Sequence, residues 1–142
     1  MLMVVLAVLA VTTGVVSAGE NIARRNAEQA LLAVGEELRS AIVSFRAAGG
    51  NGASSGPKEL SDLLRDPRMA GVRRHLRRIP VDPLTGAASW GLVRDATGGI
   101  AAVYSLAEGR PIKRDNFEAA QAGFENADSY ARWWFGVSVP LR

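Results

Sequence analysis

Residues 1–19 contain no charged side chain, and the first charge in the chain is Glu20. Leu2, Val4, Val5, Leu6, Val8, Leu9, Val11, Val15 and Val16 would be distributed all round a helix rather than along one stripe. Nineteen helical residues cover roughly 28 Å, close to the hydrocarbon thickness of a bilayer. Thr12, Thr13 and Gly14 interrupt the run, and the glycine lets a neighbouring backbone come close. Three roles suit such a segment: a membrane span, a cleaved signal peptide ending at Val16-Ser17-Ala18, or a buried core helix. A signal peptide should carry basic residues ahead of its apolar stretch, and none is present. A core helix with nineteen uncharged residues at one terminus would be unusual.

The pattern changes at Glu20 without a break. Ala27, Leu31, Val34, Leu38, Ile42 and Phe45 recur at alternating spacings of four and three, which predicts an amphipathic helix. Arg24 and Glu28 stand four apart and predict an ion pair on its polar side. No proline occurs before Pro57, and Gly49-Gly50 ends the periodicity. The sequence therefore predicts one long helix: a membrane-spanning half over residues 1–19 and an amphipathic half over 20–48. Its continuity favours the span over the two other roles.

Residues 49–142 predict a separate head. Residues 47–56 form a linker rich in glycine and small residues. Pro57 and Glu59 suit the start of a short helix with Leu60, Leu63 and Leu64 on one face, and Asp66-Pro67 ends it. Residues 69–78 predict a further turn or two of helix around Met69, Val72 and Leu76. Pro80, Asp82, Pro83, Thr85 and Gly86 read as a tight turn. Two strands follow, over residues 89–94 and 100–106, joined at Gly98-Gly99. Ile100, Ala102, Tyr104 and Leu106 would share one face of the second strand. Trp133, Trp134, Phe135, Val137 and Val139 predict a last edge strand before Pro140. The expected fold class is α+β, with a long N-terminal helix packed on a small antiparallel sheet.

Composition narrows the chemistry. The 142 residues hold one domain plus a long helix, and the 48% apolar and 22% charged content suits a folded chain. There is no cysteine, hence no disulfide or thiolate site, and His75 is the single histidine, which argues against a catalytic triad or a multi-histidine metal centre. Paired carboxylates for acid–base work would have to come from Asp62, Asp66, Asp82 or Asp95, and only Asp82 has an evident local role. The glycine-rich stretches lack the lysine and context of a phosphate loop. No enzyme signature emerges.

The net charge of +3 comes from arginine. Arg65, Arg68, Arg73, Arg74, Arg77 and Arg78 lie within fourteen residues. They read as a solvated face, or as a contact patch, centred on Arg73, Arg74, Arg77 and Arg78, for acidic neighbours, phospholipid head groups or DNA. No aromatic residue interleaves with them, so nucleic acid is the least favoured partner. His75, amid these arginines, is expected on the surface, and Trp90, Trp133 and Trp134 in the core.

Residues 73–93 (RRHLRRIPVDPLTGAASWGLV) and 98–113 (GGIAAVYSLAEGRPIK) are similar to the major pseudopilin of type II secretion, general secretion pathway protein G, within the type IV pilin-like class. In that family an arginine-flanked helix end leads through a Pro-x-Asp-Pro-x-Thr-Gly turn to a tryptophan-bearing strand. The resemblance implies a single-pass inner-membrane protein with a periplasmic head, which polymerises into a pseudopilus that drives protein export. Leu2, Val5, Leu9, Gly14, Leu31 and Leu38 are then the expected assembly residues. Other copies of the chain, minor pseudopilins, an inner-membrane assembly platform and membrane lipid are the expected partners. The other reading is a periplasmic binding domain, anchored or secreted, or a pilin of a DNA-uptake or twitching system.

Two departures stand out. Family members begin with a basic leader, a glycine and a Phe-Thr-Leu-Ile-Glu-like segment. This chain starts inside the apolar run, so either its start is misassigned or truncated, or it is not processed like its relatives; a misassigned start, with the leader, its peptidase site and the methylated residue encoded upstream, is the preferred reading. The family also implies calcium in a late acidic loop. Here the donors are Asp115, Glu118, Glu125 and Asp128, with no Asp-x-Asp pair, so scattered solvated charges are the preferred reading and calcium the one cofactor kept in view.

Overall fold

The computed structural model describes residues 2–50 and 55–138, with side chains described from Ala18 onward. Helix α1 spans Leu2–Ala48, 47 residues or about 70 Å, and is unbroken at Thr12-Thr13-Gly14. Strands β1 (Gly91–Arg94), β2 (Ile100–Tyr104) and β3 (Phe135–Gly136) form one antiparallel sheet in the order β1-β2-β3. The fold is α+β: one long N-terminal helix packed on a small three-stranded sheet. Leu92 faces Val103 across β1–β2, and Val103 in turn faces Phe135 of β3.

The four-three stripe of α1 carries the packing. Leu31, Leu38 and Ile42 are fully buried, and Phe45 nearly so. Gly35 stands among them because the ring of Phe135 lies where a Cβ would be, within 2.3 Å. Glycine costs a helix about 1 kcal/mol relative to alanine, and here that cost admits the last strand against the helix. Trp133 centres the core beyond the sheet: Phe124 stacks on it at 5.6 Å, while Phe117 and Tyr130 meet it edge-on at 5.5 Å.

Several expectations need correction. The inner-membrane, single-pass placement fails. The expected span falls largely on residues whose side chains lie outside the description, and among the described residues no helix is long and apolar enough to cross a membrane. From Glu20 on, charges recur too often along α1 for hydrocarbon. Strand β2 does not alternate: Ile100, Ala101, Ala102 and Val103 are all fully buried, as in a strand paired on both edges and covered on both faces, while Leu106 lies outside it and exposed. The last strand has two residues rather than the expected run, and Val139 lies outside the described residues.

Residues 69–78 form no helix. The backbone groups that a helix would use are bonded elsewhere: the Arg73 carbonyl accepts the Asp66 amide, and the His75 and Leu76 amides both donate to the Leu63 carbonyl. The segment is a loop folded back on the short 3-10 turn Leu60–Leu63.

The predicted turn at residues 80–87 is present, with more structure than its sequence suggests. Asp82 Oδ1 accepts the Leu84 amide at 2.8 Å, and Gly86 takes a positive φ of 73°. Trp90 Nε1 donates to the Pro80 carbonyl. Asp82 is fully buried, and its second oxygen accepts the Ser105 hydroxyl, which ties the turn to the end of β2.

Candidate functional site

Two surfaces qualify as functional: the N-terminal part of α1 and the arginine loop. Both are set by buried polar anchors along α1. Residues 18–23 are all exposed, and the head's recorded polar contacts with α1 begin at Arg24. Leu31 and Leu38, expected in assembly, are instead occupied by the chain's own head. Leu2, Val5, Leu9 and Gly14 lie outside the described side chains.

The first anchor corrects the expected Arg24–Glu28 surface pair. Glu28 is 2% exposed and points into the head. Its carboxylate accepts the Ile112 amide at 2.6 Å, the Lys113 amide at 3.0 Å and the Tyr130 hydroxyl at 2.6 Å. Arg24 donates instead to the Tyr130 oxygen and to the Arg110 carbonyl. Burial and the bond to Glu28 push the Tyr130 phenol up to about 12, with Arg24 opposing. One helical carboxylate thus fixes the loop at Arg110–Lys113 and the turn at Tyr130. The i,i+4 spacing was the only local signal, and it points outward; partners 84 to 102 residues away turn the side chain inward.

The second anchor corrects His75. Its ring is 1% exposed. Nδ1 lies 2.8 Å from Ser44 Oγ on α1, and Nε2 lies 3.1 Å from Asp66 Oδ2. Arg68 clamps the same carboxylate with two side-chain bonds and continues to the Phe45 carbonyl, its guanidinium 3.7 Å from the Phe45 ring centre. The hydrogen bond from Arg68, helped by its own amide and by His75 against the opposing effect of burial, holds the Asp66 carboxyl well below the usual carboxylate range. Hydroxyl, imidazole and carboxylate are aligned as in a hydrolase triad. However, Arg68 already neutralises the carboxylate that would have to stabilise an imidazolium, so the arrangement fastens the loop to α1.

A third anchor sits at the β1–β2 hairpin. Asp95 Oδ1 accepts the Thr97 amide and hydroxyl and the Gly99 amide, and Oδ2 accepts Arg46 at 2.6 Å. Burial alone would raise this carboxyl; the bonds from Thr97 and Arg46 together outweigh it and bring it to about 2.

The patch arginines divide. Arg68 belongs to the anchor, whereas Arg65, Arg73, Arg74, Arg77 and Arg78 are exposed and have no side-chain partner among the described residues. The acidic loop does not converge. Asp115, Glu118, Glu125 and Asp128 are all exposed. Glu125 and Asp128 border one open concavity, and Asp115 borders another beside Arg25 and Lys113. Asp128 pairs with Arg132. Among the described residues no three acidic or histidine side chains are placed to hold a metal ion. Trp90 and Trp133 are in the core, as expected, and Trp134 is 38% exposed. Comparison with models of known protein families, with curated proteins and with solved structures finds no match to this chain.

Proposed function

We propose that this chain is a structural subunit of a type IV pilin-like filament, of the kind that serves as a type II secretion pseudopilus. The observation that carries this reading is the reach of α1. The helix runs for 47 residues, yet among the described residues the head's polar contacts with it begin only at Arg24, and residues 18–23 are exposed. Ahead of them the sequence is uncharged. A helix whose described residues 18–23 stay bare, preceded by an uncharged sequence, is suited to packing against copies of itself. Repetition of one such contact that does not close on itself produces a helical filament.

Support also comes from the turn at residues 80–87, whose motif residues are those that carry the resemblance to the major pseudopilin. On this reading the chain performs no chemistry. It is a building block, its partners are its own copies, minor pseudopilins and an assembly platform, and the work of export belongs to the machinery that assembles it.

The test is a charge in the rod. Val8→Arg or Val11→Arg should abolish filament formation and protein export while leaving the head folded. A head released from the helix, still exported and fully active, would overturn the filament reading in favour of a binding domain.

A further inference from the structure

Charge along the head is polarised. Residues 49–78 hold seven basic and three acidic side chains, and residues 115–128 hold four acidic side chains and no basic one. The first stretch therefore carries a surplus of four positive charges, and the second an equal surplus of negative ones.

Both surpluses face outward. Arg65, Arg73, Arg74, Arg77 and Arg78 are exposed and have no side-chain partner among the described residues. Asp115, Glu118, Glu125 and Asp128 are exposed as well, and Asp128 shares an exposed ion pair with Arg132. The two surfaces are fastened at different levels of α1. The arginine loop is held at Ser44 and Phe45, through His75 and Arg68. The acidic segment is bracketed by the contacts of Glu28, with Ile112 and Lys113 just before it and Tyr130 just after. Sixteen helical residues from Glu28 to Ser44 cover about 24 Å, against roughly 4 Å for an ion pair. Among the described residues no ion pair joins the two groups.

We propose that the arginine loop of one copy docks on the acidic segment of the next copy, displaced along the direction of α1. The parallel arrangement of copies rests on the filament reading; the pairing of surfaces rests on charge. Equal and opposite surpluses select a second copy as the partner, because it satisfies both surfaces at once. A phospholipid headgroup layer or a phosphate backbone would match the loop and leave the acidic segment without a counterpart. The receiving surface also suits arginine in particular. Glu125 and Asp128 border one concavity together with Trp134, which is 38% exposed, so an entering guanidinium meets carboxylates and an indole. Loop and segment are different surfaces, so the contact is heterologous, and its repetition leaves a free loop at one end and a free segment at the other.

Sedimentation of the full chain in mild detergent reads the self-association. Raising ionic strength from about 0.05 M to about 0.5 M should weaken it by about tenfold or more. Changing Arg73, Arg74, Arg77 and Arg78 together to glutamate should weaken it about as much, and so should changing Asp115, Glu118, Glu125 and Asp128 together to lysine. An equimolar mixture of the two variants should regain the association, since each then supplies the surface that the other lacks. Association that ignores salt, a variant that associates like the unaltered chain, or a mixture no better than its components would each overturn the proposal. Should either variant fail to fold by circular dichroism, the salt response of the unaltered chain decides. Anionic vesicles or duplex DNA that bind the chain, with self-association untouched by the arginine changes, would reassign the loop to those partners. Val8→Arg keeps the two readings apart. If it abolishes filaments while both charge variants assemble normally, the filament reading stands and this contact falls. If it assembles normally while the charge variants do not, the helix reading falls and the contact stands.

Discussion

The Glu28 carboxylate on α1 accepts the Tyr130 hydroxyl at 2.6 Å across 102 residues of sequence, and neither group is open to solvent. Two backbone amides complete the site, so the loop at residues 110–113, the late turn and the helix share one acceptor.

Removing one partner of a buried charged hydrogen bond costs more than the bond itself contributes, because the rest of the network loses its match. Tyr130→Phe should destabilise the head by about 2 kcal/mol. Glu28→Gln should cost about 3 kcal/mol, since an amide cannot accept on both sides as the carboxylate does. Chemical denaturation of both single variants and the double variant should give a cost clearly below additive. Additive losses would mean that the two groups act separately.

The same tyrosine predicts a loss of stability in alkali. Its folded pKa, raised to about 12, lies above the unfolded value of about 10. The contribution is therefore complete below pH ~10 and disappears as pH rises toward the folded value. Tyrosinate absorbance should show one residue titrating late, and Glu28→Gln should bring that titration down. A late titration that persists in the Glu28 variant would assign the shift to burial alone.

At the acid end the sign reverses. Asp66 and Asp95 have folded pKa values below those of the unfolded chain, Asp95 at about 2. Their contribution is present above pH ~4 and is lost as pH falls through the folded values. Asp66→Asn should lower stability at neutral pH and flatten its decline below pH 4, as followed by denaturation midpoints across pH. A variant with an unchanged acid limb would show that this carboxylate does not drive acid unfolding.

Gly35→Ala sets helix propensity against packing. Alanine favours the helix by about 1 kcal/mol, but its methyl would overlap the Phe135 ring. Overpacking of this kind costs roughly 1–3 kcal/mol, so the variant should be net destabilised. In a Phe135→Leu background the same change should become less harmful. Thermal denaturation decides; a more stable single variant would mean that the ring moves aside freely.

Ser105→Ala leaves one oxygen of the fully buried Asp82 without its donor. A loss of about 2 kcal/mol is expected, with the indole of Trp90 reporting a loosened turn by fluorescence. An unchanged midpoint would imply that the other contacts of Asp82 suffice.

What the sequence revealed depended on range. The helix was legible because Leu31, Leu38, Ile42 and Phe45 repeat with the helical period, and the turn because proline, aspartate and glycine set its geometry locally. The strands were found, although their lengths were overestimated at Leu106 and Val137. Glu28 and His75 were misplaced for a common reason: each stands among residues that suggest a surface, and each is turned inward by partners distant in sequence. The helix expected over residues 69–78 failed similarly, since apolar spacing cannot reveal that the Leu63 carbonyl takes the amides of His75 and Leu76. The arginine patch was visible as composition, but only the fold separates Arg68, which is an anchor, from the five exposed ones that have no side-chain partner among the described residues.

The place of Phe135 against Gly35 also bears on synthesis. The apolar stripe of α1 emerges among the first fifty residues, but its cover is completed by a ring a hundred residues later. Until then the nascent chain presents a bare apolar stripe, a state prone to association with other chains. The head can therefore close only after Phe135 has been made, a hundred residues after Gly35, and its folding should be slow for its size because so many contacts span long loops.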